Sequence, residues 1–129
     1  MNINIRGNLY DLSSPKIMGI LNVTPDSFYD GGKHKSLKET LNHVEKMIED
    51  GMDILDVGGY SSRPGANDIT VDEELHRVIP IIKELKKIFP KLIISIDTFR
   101  SLVAEKSLDC GIDIINDISA GMLDDNMFN

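Results

Sequence analysis

An amide or a carboxylate stands at or near the end of each of four apolar stretches of the sequence. These side chains are Asn22, Asp56, Asp97 and Asn116. A carboxylate accepts two parallel hydrogen bonds and an amide both donates and accepts, so Asp97 and Asn116 could bind the amino-pyrimidinone edge of a flat heterocycle. Asp and Asn also leave strands simply to cap the following turn. Because capping does not require such a residue at every strand, the repetition favours a ligand site.

The first of these positions opens a loop that is rich in oxygen donors. Asn22 is followed by Asp26 and Asp30. Together they could supply hard oxygen ligands to Mg²⁺, which usually keeps several waters and shares phosphate oxygens. The alternative is that both carboxylates are solvated loop residues.

The loop after the second apolar stretch, GGYSSRPGAND, carries Arg63. An arginine at a ligand-binding edge suits a bidentate contact with phosphate, and a solvated surface charge is the alternative. The chain has neither the glycine-lysine-hydroxyl ending of a P-loop nor a G-x-G-x-x-G pattern. It also shows no Ser-His or Cys-His arrangement of the kind that activates a protein nucleophile.

The spacing of apolar residues predicts the elements that position these groups. Helices are predicted after the capping boxes Ser36–Glu39 and Thr70–Glu73 and over residues 99–110. Pro80 predicts a kink inside the second helix rather than a break. Residues 1–15 are expected to form a strand or a hairpin, and glycines 51 and 111 to end the first and third helices. The predicted strands are residues 16–23, 53–59, 92–98 and 113–120.

This alternation of strand and helix indicates an α/β fold with a parallel sheet in the strand order 1-2-3-4 and the helices on one side. No linker or domain boundary interrupts residues 1–129. The carboxyl ends of parallel strands share one edge, where such folds bind their ligands. The four polar side chains are therefore expected to lie together.

Composition and charge exclude several classes of partner. The formal net charge of −7 argues against nucleic acid and anionic membranes, whose binders need a basic face. No apolar run reaches about 18 residues, and the N-terminus lacks the pattern of a secretory signal. The single cysteine forms no internal disulfide, so we expect a cytoplasmic protein.

Four ordered segments carry a resemblance to a known family. NVTPDSFYDGG, DVGGYSSRPGA, SIDT and IINDISA together resemble dihydropteroate synthase. The resemblance implies a (β/α)₈ TIM barrel. It also implies a transferase of folate biosynthesis that joins 6-hydroxymethyl-7,8-dihydropterin diphosphate to p-aminobenzoate and releases pyrophosphate. In that reaction Mg²⁺ and Arg63 would stabilise the departing pyrophosphate.

The resemblance also implies a role for each matching residue. Asn22 would hold Mg²⁺ and pyrophosphate, and Asp97 and Asn116 would contact the pterin ring. Two loops would close over the site and form the p-aminobenzoate pocket that sulfonamides also occupy. The first loop carries Asp26, Phe28 and Asp30, and the second carries Ser61, Ser62, Arg63 and Pro64. Ser62 stands where threonine is frequent, and Tyr60 where an acidic or amide residue often stands.

The chain is shorter than the barrel that the resemblance implies. A (β/α)₈ barrel takes about 250 residues, so these 129 residues are expected to cover the N-terminal half. We expect the half to lack synthase turnover alone and to form a homodimer through its open sheet. Two alternatives stay open: the pterin-binding domain of a corrinoid-dependent methyltransferase, and a half-barrel that binds pterin without catalysis.

Overall fold

The chain begins with a β-hairpin that stands apart from the main sheet. The computed structural model describes residues 1–23, 34–60 and 68–129, with only the backbone for residues 34–36. Strands β1 (Asn2–Ile5) and β2 (Asn8–Asp11) pair antiparallel. Arg6 and Gly7 form the turn with φ values of 51° and 78°, the left-handed pair that a two-residue hairpin loop requires. The predicted strand or hairpin is a hairpin.

The main sheet has four parallel strands in sequential order, as predicted. They are β3 (Met18–Asn22), β4 (Ile54–Gly58), β5 (Ile93–Asp97) and β6 (Ile114–Asn116). The prediction that the fourth strand reaches residue 120 was wrong. The Asp117 carboxylate accepts hydrogen bonds from the amides of Ser119 (2.9 Å) and Gly121 (2.8 Å). The backbone therefore turns immediately after Asn116.

Three helices connect the strands. They are α1 (His34–Glu49), α2 (Val71–Ile88) and α3 (Ser101–Asp109). The first and third end as predicted, at Gly51 (φ 105°) and Gly111 (φ 93°). At each end the residue after the glycine donates its amide to a carbonyl five positions back, Met52 to Met47 at 3.0 Å and Ile112 to Ser107 at 3.3 Å. Both are Schellman ends, in which glycine tolerates the left-handed backbone.

The helix starts differ from the prediction in two details. Helix α1 begins at His34, so Ser36 lies inside its first turn and the prediction that Ser36 caps it was wrong; polar residues are tolerated in a first turn. Thr70 does cap α2, because its Oγ1 accepts from the Glu73 amide at 3.1 Å. The Glu73 carboxylate does not complete the box and instead accepts from Arg77 at 2.7 Å. Helix α2 continues through Pro80, so a single helix is confirmed.

The central strands of the sheet are buried on both faces except at their ends, whereas the edge strand β3 exposes an apolar side chain. Alternate residues of the central strands, including Leu55, Val57, Ile94 and Ile96, are completely buried in a core with the helices. On the opposite face Ile20 of β3 is 66% exposed. Among the described residues no helix is long and apolar enough to cross a bilayer.

Arg6 fixes the hairpin to the amino ends of the sheet. Its guanidinium donates to both carboxylate oxygens of Asp113, at 2.6 and 2.9 Å, and to the carbonyls of Pro90 and Leu92, each at 2.9 Å. Burial alone would raise the pKa of Asp113, but the hydrogen bonds from Arg6 and the Ile94 amide, together with the charges of Arg6 and Lys86, outweigh it and lower that pKa. This contact secures the end of the sheet opposite to the polar strand ends.

Candidate functional site

The strand register brings three of the predicted site residues into one row. Asn22 pairs with Gly58, Gly58 with Asp97, and Asp97 with Asn116. Paired residues of parallel strands point to the same face of a sheet. We call Asn22, Gly58, Asp97 and Asn116 the terminal row. Its Asn22, Asp97 and Asn116 therefore share one face at the carboxyl edge, as predicted.

A second row lies one step deeper on the same face. It consists of Ile20, Asp56, Ser95 and Ile114, again in direct register. Asp56 is only 5% exposed, and its Oδ2 accepts from Asn116 Nδ2 at 3.3 Å. Asp56 therefore joins the two rows, a role that the predicted site residues omitted. Its position two residues before the end of β4 was the signal in the sequence.

Two buried oxygen atoms of the second row have hydrogen-bonding capacity that the described residues do not use. Within the described residues, Asp56 Oδ1 and Ser95 Oγ are buried and have no partner in hydrogen-bonding geometry. Burial raises the pKa of Asp56, and the Asn116 amide and the Ser95 hydroxyl, which lies near the carboxylate without meeting the geometry of a full hydrogen bond, oppose that shift. Buried polar atoms are normally satisfied. A ligand that donates hydrogen bonds would complete this set.

Asp97, the ionisable residue of the terminal row, has a strongly raised pKa. Burial, followed by the charges of Asp56, Glu74 and Asp117, raises its pKa from 3.8 to about 6. No described residue donates a hydrogen bond to its carboxylate. Clustered carboxylates disfavour one another's ionised form, and a donor placed against Asp97 would relieve that effect. Perturbed groups of this kind concentrate at functional sites.

Two adjacent glycines at the end of β4 have different functions. A Cβ on Gly58 would meet the Asp97 side chain at ordinary contact distances of 3.4 to 3.8 Å. A Cβ on Gly59 would lie 2.8 Å from Val78 and 3.2 Å from Arg77. Gly59 therefore permits close docking of α2, whereas Gly58 could carry a small side chain in ordinary contact with Asp97.

Asp117 follows the terminal row but is not available to a ligand in the same way. Its Oδ1 accepts from the amide and the hydroxyl of Ser119, at 2.9 and 2.7 Å, and its Oδ2 from the Gly121 amide. Burial would raise its pKa, but these hydrogen bonds lower it. Asp117 thus shapes the turn after β6 and adds negative charge near Asp97.

The other predicted site residues lie outside the described residues. They are Asp26, Phe28, Asp30, Ser61, Ser62, Arg63 and Pro64. In the described part of the chain no group of three or more His, Cys, Asp or Glu side chains could hold a metal ion. Asn22, which is exposed at the end of β3, is the one predicted metal ligand that the structure describes.

A groove of about 510 Å³ lies away from this edge, between α2 and α3. Its lining includes Leu75, Ile79, Pro80 and Cys110, with Lys83 and Lys106 beside them. It is shallow and contains no buried polar atom without a partner among the described residues. The chemistry therefore points to the strand ends rather than to this groove.

Comparisons with known proteins find relatives of one kind. The sequence pattern of a family described as "pterin binding enzyme" matches residues 18–129. The chain is 55% identical to the folic acid synthesis protein fol1 of Pneumocystis carinii, over 88% of this chain and 15% of that protein. It is 50% identical to the dihydropteroate synthase of Streptococcus pyogenes serotype M1, over 87% of this chain and 42% of that protein.

Solved structures give the same result. The Yersinia pestis dihydropteroate synthase with a sulfonamide drug superposes with a TM-score of 0.81 at 43% identity, over 95% of this chain and 44% of that one. The Xanthomonas albilineans dihydropteroate synthase with 4-aminobenzoic acid gives a TM-score of 0.83 at 41% identity, over 97% of this chain and 46% of that one. The chain therefore spans less than half the length of these relatives.

Proposed function

The chain belongs to the pterin-binding enzyme family, and we propose that it supplies the pterin-binding strand ends of a dihydropteroate synthase with a (β/α)₈ barrel. The reaction joins 6-hydroxymethyl-7,8-dihydropterin diphosphate to p-aminobenzoate and releases pyrophosphate. One observation carries the proposal: Asp97, Asn116 and the buried Asp56 form a cluster at the strand ends with more acceptors than donors. A relative that is 50% identical to this chain is named dihydropteroate synthase, which favours this reaction over that of a corrinoid-dependent methyltransferase.

The pterin ring complements this cluster. Its pyrimidinone edge presents an amino group and a ring N–H, and both are donors. Asp97 has a carboxylate that no described residue satisfies. With Asn116 Nδ2 donating to Asp56, the Asn116 carbonyl oxygen is directed to accept. A donor-rich ring would therefore be oriented by Asp97 and Asn116 at the edge and by Asp56 below them.

The pyrophosphate and the second substrate are assigned to residues nearer the rim. Asn22 ends β3 on the same face as Asp97 and is exposed. A single accessible amide oxygen fits Mg²⁺, which keeps waters and shares phosphate oxygens. We assign the remaining contacts as the sequence predicts, to Asp26 and Asp30 for the metal ion and to Phe28, Ser61, Ser62, Arg63 and Pro64 for pyrophosphate and p-aminobenzoate.

The reaction needs positioning and charge stabilisation rather than a protein nucleophile. The amine of p-aminobenzoate forms a bond to the methylene carbon of the pterin, and the bond from that carbon to the diphosphate oxygen breaks. Mg²⁺, when bound, supplies positive charge for the departing pyrophosphate. Asp97, Asn116 and Asp56 keep the ring fixed while this exchange takes place. The apolar core behind the second row gives these side chains a rigid support.

The proposal is tested by binding rather than by turnover. We expect the chain to bind 6-hydroxymethylpterin, measured by the change in pterin fluorescence. Asp97→Asn should weaken binding by about tenfold to a hundredfold, because a ring N–H would then face a donor or a weaker acceptor. Asp109→Asn makes the same chemical change on an exposed residue at the end of α3 and serves as the matched control. Equal affinity of the two variants would exclude Asp97 from the site.

A further inference from the structure

Glu74 is a completely buried carboxylate behind the terminal row, on the first turn of α2. Its Oε2 accepts from the Thr98 hydroxyl at 2.5 Å, and its Oε1 accepts from Arg100 Nη1 at 2.8 Å. Thr98 directly follows Asp97 and is 1% exposed. The contacts therefore tie the backbone next to Asp97 to a helix, in a region that water does not reach.

Arg100 extends these contacts to the segment that precedes α2. Its Nη2 donates to the Ile69 carbonyl at 2.6 Å, and its backbone amide donates to Thr98 Oγ1 at 3.2 Å. Its guanidinium lies 4.8 Å from the centre of the Phe99 ring. Phe99 in turn packs edge-on against Tyr60, which follows β4, with 5.1 Å between ring centres. Arg100 thus joins the exits of two strands to the entry of α2.

Resting on the function proposed above, we propose that Glu74, Thr98 and Arg100 are positioning residues that hold Asp97 in its ligand-binding place. None of the three needs to touch the ligand. Thr98 uses its hydroxyl both to donate to Glu74 and to accept from the Arg100 amide, which fixes the backbone immediately after Asp97. Fully satisfied buried networks of this kind rigidify their surroundings.

The same arrangement sets the charges that face Asp97. Asp56 from β4, Glu74 from α2 and Asp117 after β6 are the acidic groups that act on it. Arg100 Nη1 lies 2.8 Å from Glu74 Oε1, so the guanidinium balances the charge of this carboxylate. Replacing Glu74 by a neutral side chain removes one negative charge and leaves the Arg100 charge unbalanced. Both effects favour the ionised form of Asp97, so its pKa should fall.

The experiment compares two pairs of variants in the 129-residue chain. Thr98→Val removes only the hydroxyl, and Thr98→Ser keeps it. Glu74→Gln neutralises the buried carboxylate, and Glu73→Gln neutralises its exposed neighbour on the same turn. For each variant we measure the affinity for 6-hydroxymethylpterin and the titration midpoint of the Asp97 carboxyl carbon by NMR.

We expect Thr98→Val to weaken binding roughly tenfold, because residues that only hold a binding side chain in place contribute at about this level. Thr98→Ser should bind like the unmodified chain. Glu74→Gln should lower the Asp97 midpoint, and Glu73→Gln should leave it unchanged. The inference is overturned if Thr98→Val binds like Thr98→Ser and Glu74→Gln titrates like Glu73→Gln. If a variant of one pair fails to fold, the comparison within the other pair tests the inference.

The outcomes separate this inference from the proposed function. If the unmodified chain does not bind the pterin, the ligand assignment and the positioning role for that ligand both fail, and a shift of the Asp97 midpoint in Glu74→Gln shows only electrostatic coupling between the two carboxyl groups. If the pterin binds and neither pair differs, the ligand assignment stands and the positioning role is refuted.

Discussion

Asp97 should lower the stability of the fold at neutral pH. Its pKa rises from 3.8 to about 6, which corresponds to at most about 3 kcal/mol of unfolding free energy. The folded chain binds the proton more tightly than the unfolded chain does. The penalty is therefore absent below pH 3.8, grows as the pH rises through this interval, and is complete above pH 6. Asp97→Asn should remove it.

The assay is urea unfolding of the unmodified chain and of Asp97→Asn at several pH values between about 4 and 8. The variant should gain up to about 3 kcal/mol relative to the unmodified chain at pH 8, and this gain should vanish near pH 4. The pH dependence matters more than the absolute difference, because any fixed effect of the amide cancels. A stability difference that does not change between these pH values would refute the argument that Asp97 is a crowded, half-buried carboxylate.

Three further outcomes follow from the described contacts. Gly58→Ala should weaken pterin binding with little change in melting temperature, since the added Cβ fits beside Asp97. Gly59→Ala should instead destabilise the chain by about 1–3 kcal/mol, since α2 would have to move. Thermal melts and pterin titrations of both variants check this. Arg6→Met should destabilise the chain by about 2 kcal/mol at pH 7, which is less than the loss expected for breaking a fully buried ion pair because the Arg6 side chain is 39% exposed. Adding Asp113→Asn to this variant should recover part of the lost stability. An unchanged urea midpoint in Arg6→Met would contradict this. Because Ile20 is 66% exposed on an edge strand of the described sheet, the polypeptide should self-associate as a homodimer, and Ile20→Glu should return it to monomer in light scattering.

The fold was largely predictable because its signals are local. Thr70 before an apolar period starts a helix, and Gly51 in a left-handed conformation ends one. The apolar strands needed only their alternation with helices to be placed in a parallel sheet. The end of the fourth strand was not predictable in this way. The Ile118 that continues its apolar run is 67% exposed, because Asp117 bends the backbone first.

The candidate site was predictable only where it coincides with strand ends. Asn22, Asp97 and Asn116 could be placed in one row because parallel pairing carries the register across the sheet. The contact of Glu74 with Thr98 spans 24 positions, and its contact with Arg100 spans 26. Such pairs have no periodic signature, since they depend on how α2 docks against Gly59 and on the path of the chain after β5.

The inner face of β4 and β5 shows why the site lies where it does. Asp56 stands in a strand whose five residues are all buried, and Ser95 stands beside it. A buried acceptor without a partner costs about 1–3 kcal/mol, and two apolar side chains at these positions would make a more stable strand pair. Local rules of this kind are broken mainly at functional sites. A ligand that donates hydrogen bonds to Asp56 and Asp97 would recover that free energy on binding, so the same residues that weaken the free chain would supply affinity and orientation in the complex.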